Sequence, residues 1–264
     1  MKRYIPVIIL LAVVGLFLLF RDVVIVRGSG NITNETRSVS GFTRVALSGS
    51  GEVILTQGDE ESLRIEAEDN ILPYLKSTVS GDTLDLGQDW HWPKILWPTK
   101  PIKYYIGVKS LQGVTISGSG KVQVEKLDTD SLELKISGSG KITIGDLTSQ
   151  SVEVSISGSG DFIADTLYAE TFSVTISGSG NFSLGAGRVT DQKVSISGSG
   201  DFKAGKLESL TASVKVSGSG DVTLWVVKTL DVHISGSGKV NYYGSPQVNS
   251  SISGSGKVNW QGNP

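Results

Sequence analysis

The chain has no cysteine. That excludes disulfides, thiol nucleophiles, thiolate metal sites and a lipid anchor carried on an acylated cysteine. It also lacks an excess of charge: 24 Lys and Arg stand against 26 Asp and Glu, a formal net charge of −2. Without a basic face, nucleic acid is excluded as a partner. The two histidines, His91 and His233, lie far apart in the chain. No glycine-rich stretch ends in the Lys-Ser/Thr of a phosphate-binding loop, so nucleotide binding has no motif behind it. What the chain has in abundance is glycine, 33 of 264 residues, beside a 38% hydrophobic share that suffices for a core.

Met1-Lys2-Arg3 is a short basic start, followed from Tyr4 to Phe20 by 17 uncharged, mostly apolar residues. That length is short for a membrane-spanning helix and long for the apolar part of a cleavable signal. Arg21-Asp22 and Val23 to Val26 follow without a convincing small-x-small cleavage site. Positive charge before the run keeps the N-terminus inside and the body outside. Residues 1–27 are therefore expected to be an uncleaved signal anchor with a short linker, a transmembrane helix that places residues 28–264 on the periplasmic or extracellular side of a cell envelope. The alternative is secretion after signal cleavage.

Self-similarity dominates the rest. Ser-Gly-Ser-Gly begins at Ser48, Ser117, Ser137, Ser157, Ser177, Ser197, Ser217, Ser235 and Ser253; from Ser117 the step is 20 residues five times, then 18 twice. Each unit continues with a variable polar residue and an apolar one (Val122, Ile142, Phe162, Phe182, Phe202, Val222), and another apolar residue two positions on. A Leu usually comes three later, and the unit closes on alternating apolar residues such as Val152-Val154-Ile156. Period-two alternation marks strands with one buried face. Head-to-tail identical units favour parallel stacking of each strand on its own copy. The expected fold is all-β: a right-handed parallel β-helix (a β-solenoid) with two short strands in about 20 residues per coil and coils about 4.8 Å apart. A β-propeller blade needs about twice this period.

Counting by two from Ile136 through Gly138 and Gly140 to Ile142 puts both glycines inward and Ser137 and Ser139 outward. Repeated glycine there implies a corner too tight for a side chain. The segments opposite, such as 125–130 and 145–150, are expected to be a variable loop. Residues 117–264 form the regular coils. Residues 28–116 read as irregular N-terminal coils with a Trp-rich loop over 89–101, at the end of the stack where a solenoid needs its edge covered. Gly28-Ser29-Gly30 stands one coil-length before Ser48.

Gly28-Ser29-Gly30-Asn31, Ser40-Gly41-Phe42, Ser48-Gly49-Ser50-Gly51-Glu52-Val53, Thr56-Gln57-Gly58-Asp59, Asn70-Ile71-Leu72-Pro73, Pro98-Thr99-Lys100-Pro101-Ile102 and the serial Ser-Gly-Ser-Gly units occur in an order that resembles the head GIN-domain autotransporter adhesin family. The resemblance runs from Gly28 to Trp260. It implies a right-handed parallel β-helix on bacterial cell surfaces or in the periplasm, in a domain of unknown function, and it carries no catalytic residues, binding residues or cofactor over to this chain.

Several clusters invite chemistry. Asp201 and Asp221, with Lys239 next in line, read either as a carboxylate or calcium pair or as a solvated charged ladder; Glu133 and Glu153 pose the same choice. His233 falls on an outward strand position. Trp90, His91, Trp92 and Trp97 fall within eight residues, in a loop with Pro93 and Pro98. They are the candidate ligand- or partner-binding residues, as an exposed aromatic patch for a glycan, a partner or the membrane surface; the opposing reading is a buried cap over the first coils. No catalytic, metal or cofactor site is expected. The function expected is a non-enzymatic surface or envelope module, adhesin-like or structural. The alternatives are a carbohydrate-active β-helix enzyme, which would need convergent carboxylates, and a self-assembling envelope scaffold. The partners implied are the membrane through the N-terminal helix, a glycan or envelope protein, and further copies of the chain.

Overall fold

The computed structural model describes residues 24–89 and 94–264. The expected signal anchor, up to residue 23, and Trp90, His91 and Trp92 lie outside the described residues. Among those described, no helix is long and apolar enough to cross a membrane. The only helical element among them is a 3-10 turn at Leu72–Tyr74.

In chain order the strands are β1 (Val24–Arg27), β2 (Ile32–Arg37), β3 (Arg44–Gly49), β4 (Glu52–Gln57), β5 (Ser62–Glu68), β6 (Leu75–Ser80), β7 (Thr83–Gln88), β8 (Lys94–Trp97), β9 (Lys103–Val108) and β10 (Gly113–Gly118). The regular coils follow as β11 (Lys121–Gly138), β12 (Lys141–Gly158), β13 (Asp161–Gly178), β14 (Asn181–Gly198), β15 (Asp201–Gly218) and β16 (Asp221–Gly236). The chain ends in β17 (Lys239–Tyr243), β18 (Gln247–Gly254) and β19 (Lys257–Trp260). From β10 to β19 every pairing is parallel, and Ser137, Ser157, Ser177 and Ser197 stand in register along one ladder. This is the expected β-solenoid.

Two details differ from the expectation. Each regular coil is one strand of 16 or 18 residues bent twice, not two short strands and a loop. In β12 the buried positions run Ile142, Ile144, then Leu147, Ser149, then Val152, Val154, Ile156. The two jumps of three mark the bends, so the segment read as a loop is a third, short face with inward side chains of its own. The glycines also divide. Gly140 and Gly160 are inward and buried, as counted; Gly138 and Gly158 are not buried, and they hold φ of 117° and 110°. A β-carbon on Gly158 would stand 2.6 Å from the Gly138 carbonyl oxygen. The tight neighbour is the coil below, not the opposite wall.

The N-terminal region is stacked out of chain order. β3 pairs in parallel with β10, placing Ser48 directly against Ser117, and β4 pairs likewise with β11. The chain between them lies on the other side: β7 on β3 and β9 on β4, both parallel. Beyond those the direction reverses, with β6 antiparallel to β7, β5 to β9, and β2 to β5. Gly28-Ser29-Gly30 therefore leads into an antiparallel capping strand instead of a coil. Antiparallel strands end the parallel stack and cover its edge, as the excursion was expected to do.

The core is continuous from Phe42 to Val240. Its widest coils stack Phe162 on Phe182 at 4.8 Å and Phe182 on Phe202 at 4.9 Å between ring centres. At the C-terminal end no such cover exists among the described residues: Ile252 in β18 is 42% exposed.

Candidate functional site

Of the aromatic cluster picked out in the sequence, Trp97 is described. It ends β8, which pairs in parallel with β1 as a separate two-stranded ribbon, Ile25 opposite Ile95 and Arg27 opposite Trp97. Trp97 is 64% exposed, so at this position the capping reading fails. The capping is done by Val26 and Leu96 on the ribbon's other face, which pack against the core.

Glu68 ties that ribbon to the body. Its side chain is buried, and it accepts hydrogen bonds from Gly30 N at 2.8 Å, Thr99 N at 2.8 Å, Thr99 Oγ1 at 2.5 Å and Lys100 N at 3.3 Å. Burial alone would raise its pKa, but the bonds from Thr99, Gly30 and Lys100 together hold the carboxyl below its ordinary range. A β-carbon on Gly28 would fall 1.9 Å from a Glu68 carboxylate oxygen, so any larger residue there would push this carboxylate out of its place.

The Asp201 and Asp221 pair is accounted for by stacking. Asp201 Oδ1 accepts from the Asp221 backbone N–H at 3.3 Å, and Asp221 Oδ1 from that of Lys239 at 3.0 Å, while Lys203 bridges Asp201 at 3.1 Å. Each carboxylate thus serves the coil above it. Glu133 binds Lys135 and, at 2.8 Å, Arg44 two coils away. Arg44 reaches it by passing over Gly113, which lies between them in register and has no side chain to block the way. The bonds from Lys135 and Arg44 hold the Glu133 carboxyl below its ordinary range. Tyr104 is buried and its hydroxyl has no protein partner; burial pushes its pKa up, opposed by Arg37. His233 is exposed, in register between Lys215 and Ser251. Among the described residues no group of three or more His, Asp or Glu is arranged to hold a metal.

A feature that reading along the chain missed lies on the flank of the regular coils, at the second bend. Two outward ladders run along the axis there: Ser151, Thr171, Asp191, Thr211 and, beside it, Glu153, Ser173, Lys193, Ser213. Between them is a groove of about 460 Å³ whose floor is Val152, Phe172, Gln192 and Ala212. Within the first ladder Thr171 donates to Ser151 at 3.0 Å and Thr211 to Asp191 at 2.6 Å. Gln192 is 3% exposed, and neither its amide nitrogen nor its amide oxygen has a hydrogen-bond partner. Its column is otherwise apolar: Leu132, Val152, Phe172, Ala212, Leu230. Aligning the 20-residue units places Gln192 in the column of Val152 and Phe172 and Asp191 in that of Ser151 and Thr171; the pattern was followed through its apolar members alone, so neither was picked out.

The comparisons with known proteins agree with this architecture. No curated protein matches the chain. A crystal structure described as a "Putative lipid binding protein" from Parabacteroides distasonis ATCC 8503 is 26% identical, with a TM-score of 0.85 over 90% of this chain and 100% of the other. A "putative adhesin" from the same organism, 23% identical over the same shares, also superposes at 0.85. One from Parabacteroides merdae ATCC 43184, 21% identical, superposes at 0.82 over 90% of this chain and 99% of its own. Those two show the fold alone. A family model matches residues 41–162 and again 136–246, and the chain accordingly belongs to the family described as "Putative auto-transporter adhesin, head GIN domain".

Proposed function

We propose that the chain is a non-enzymatic, adhesin-like module of the cell envelope that holds a linear glycan along the flank groove of β12 to β15, while the apolar run from Tyr4 to Phe20 anchors it in a membrane. The observation that carries the reading is the pair of outward ladders, Ser151, Thr171, Asp191, Thr211 and Glu153, Ser173, Lys193, Ser213, which hold polar side chains in register along the groove. The rims suit sugar hydroxyls, with Thr171, Ser173 and Ser213 as neutral partners and Asp191 and Lys193 as charged ones. Four coils at about 4.8 Å spacing offer a straight, repeating row of such groups.

Among the described residues, Glu68, Tyr104 and Glu133, whose protonation is displaced, belong to the N-terminal cap, the core and a structural ion pair. The anchoring rests on the basic start and the apolar run from Tyr4 to Phe20, and the relative described as lipid-binding is in keeping with a lipid-facing location.

Equilibrium titration of a panel of soluble linear oligosaccharides tests the groove. Asp191→Ala and Lys193→Ala are each expected to lower affinity about tenfold, the equivalent of one lost hydrogen bond to ligand, with little change in melting. Gln192→Leu, which removes an unsatisfied amide from the core, is expected to melt several degrees higher and to bind as before. Unchanged affinity in both Asp191→Ala and Lys193→Ala would remove the reason for assigning the groove.

A further inference from the structure

We infer that the outward face of the β1–β8 ribbon, formed by Ile25, Arg27, Ile95 and Trp97, rests in the headgroup region of a lipid bilayer and holds the capped end of the solenoid against the membrane. The ribbon has two distinct sides. Val26 and Leu96 turn inward against the core. On the other side Ile25 is 62% exposed, Ile95 43% and Trp97 64%, with Ile25 paired to Ile95 and Trp97 to Arg27 across the strands. A neighbouring Val24 is 52% exposed. Aliphatic side chains, one tryptophan and one exposed arginine on a single face are what a bilayer interface selects: apolar bodies for the acyl boundary, an amphipathic ring and a cation for phosphate.

Chain length chooses this occupant over others. The inference rests on the proposed anchoring by the Tyr4–Phe20 run. The run ends at Phe20 and β1 begins at Val24. Four residues of extended chain span at most about 14 Å, so an anchored run leaves the ribbon no place far from the lipid. As a helix, a run of 17 residues would rise only about 26 Å against a hydrocarbon core of about 30 Å. A run that short draws the residues after it toward the interface, and the side chains that arrive first are those of β1. Glu68 fixes the ribbon to the body through Gly30, Thr99 and Lys100, so a seated ribbon orients the whole solenoid.

Because the chain has no cysteine, single labels can be placed on the full chain. Ile25→Cys, Ile95→Cys and, on a distant exposed flank position, Thr175→Cys are each given a nitroxide and reconstituted into phosphatidylethanolamine–phosphatidylglycerol vesicles. Flotation reports anchoring, and collision with oxygen against a water-soluble nickel chelate reports immersion. The expected result is flotation of all three, with labels at 25 and 95 favouring oxygen and the label at 175 favouring the chelate. Flotation with all three labels equally open to the chelate overturns the proposal while leaving the anchor intact. Labels at 25 and 95 shielded from both reagents and broadened by spin–spin coupling would mean a second copy occupies the face, which also overturns it. Chains that do not float remove the anchor reading and the proposal together.

Discussion

At the scale of single residues, the repeating Ser-Gly-Ser-Gly corner is set by a carbonyl oxygen one coil below. Gly158 holds φ of 110°, and an added β-carbon would meet the Gly138 oxygen at 2.6 Å. Gly158→Ala therefore combines a strained backbone with a steric clash, and should lower stability by roughly 2–5 kcal/mol, whereas Ser157→Ala should stay within about 1 kcal/mol. Denaturant melts of both variants check this, and equal losses would contradict it. Glu68 gives a pH signature. Its folded pKa lies below the ordinary 4.5, so its contribution is complete above that value and is lost as pH falls through the lowered one. Protection of the Gly30, Thr99 and Lys100 amides against exchange, taken relative to the intrinsic rate at each pH, should fall on acidification below the lowered pKa more than protection in β13, and Glu68→Gln should abolish that difference. The corner serines were placed correctly from the sequence by parity. The first glycine of each pair was not, because parity counts directions within one strand and carries no information on contacts along the axis.

At the scale of elements, the regular coils are one bent strand repeated, and their stability comes from columns. Phe182 is fully buried between Phe162 and Phe202. Phe182→Ala should cost about 3–5 kcal/mol; a thermal or chemical melt reads it, and a loss under about 1 kcal/mol would mean the neighbouring coils collapse into the space. The alternating faces were legible because Val152-Val154-Ile156 and its copies repeat at period two. The middle face was not, because Leu147 and Ser149 offer only two inward positions, one of them polar. The N-terminal elements were legible as strands and as a cover for the edge. Their spatial order was hidden, since nothing in the composition of β3 and β4 says that the regular stack resumes on one side of them while β5 to β9 build on the other. The groove was hidden for a different reason: the repeat already aligned Asp191 with Ser151 and Thr171, but a period of 20 does not say that the chain bends beside them and leaves a depression between the two ladders.

At the scale of the whole molecule, the solenoid is polar. One end is closed by antiparallel strands and carries the exposed Ile25–Trp97 face; the other ends in a coil with Ile252 uncovered. A chain anchored at its first end would present its flanks, and with them the groove, away from the membrane. Trp97 was picked out in the sequence as either an exposed aromatic or a buried cap, and it is exposed; the groove was found only in the folded chain. The central claim, that the flank holds a linear glycan without altering it, is tested most directly by saturation-transfer NMR on soluble oligosaccharides mixed with the full chain, followed by the chain length of the sugar after prolonged incubation. The account predicts transfer to the sugar that weakens with Asp191→Ala and with Lys193→Ala, and sugar recovered at its original length. Absence of transfer to every oligosaccharide, or the appearance of shorter chains with new reducing ends, would contradict it.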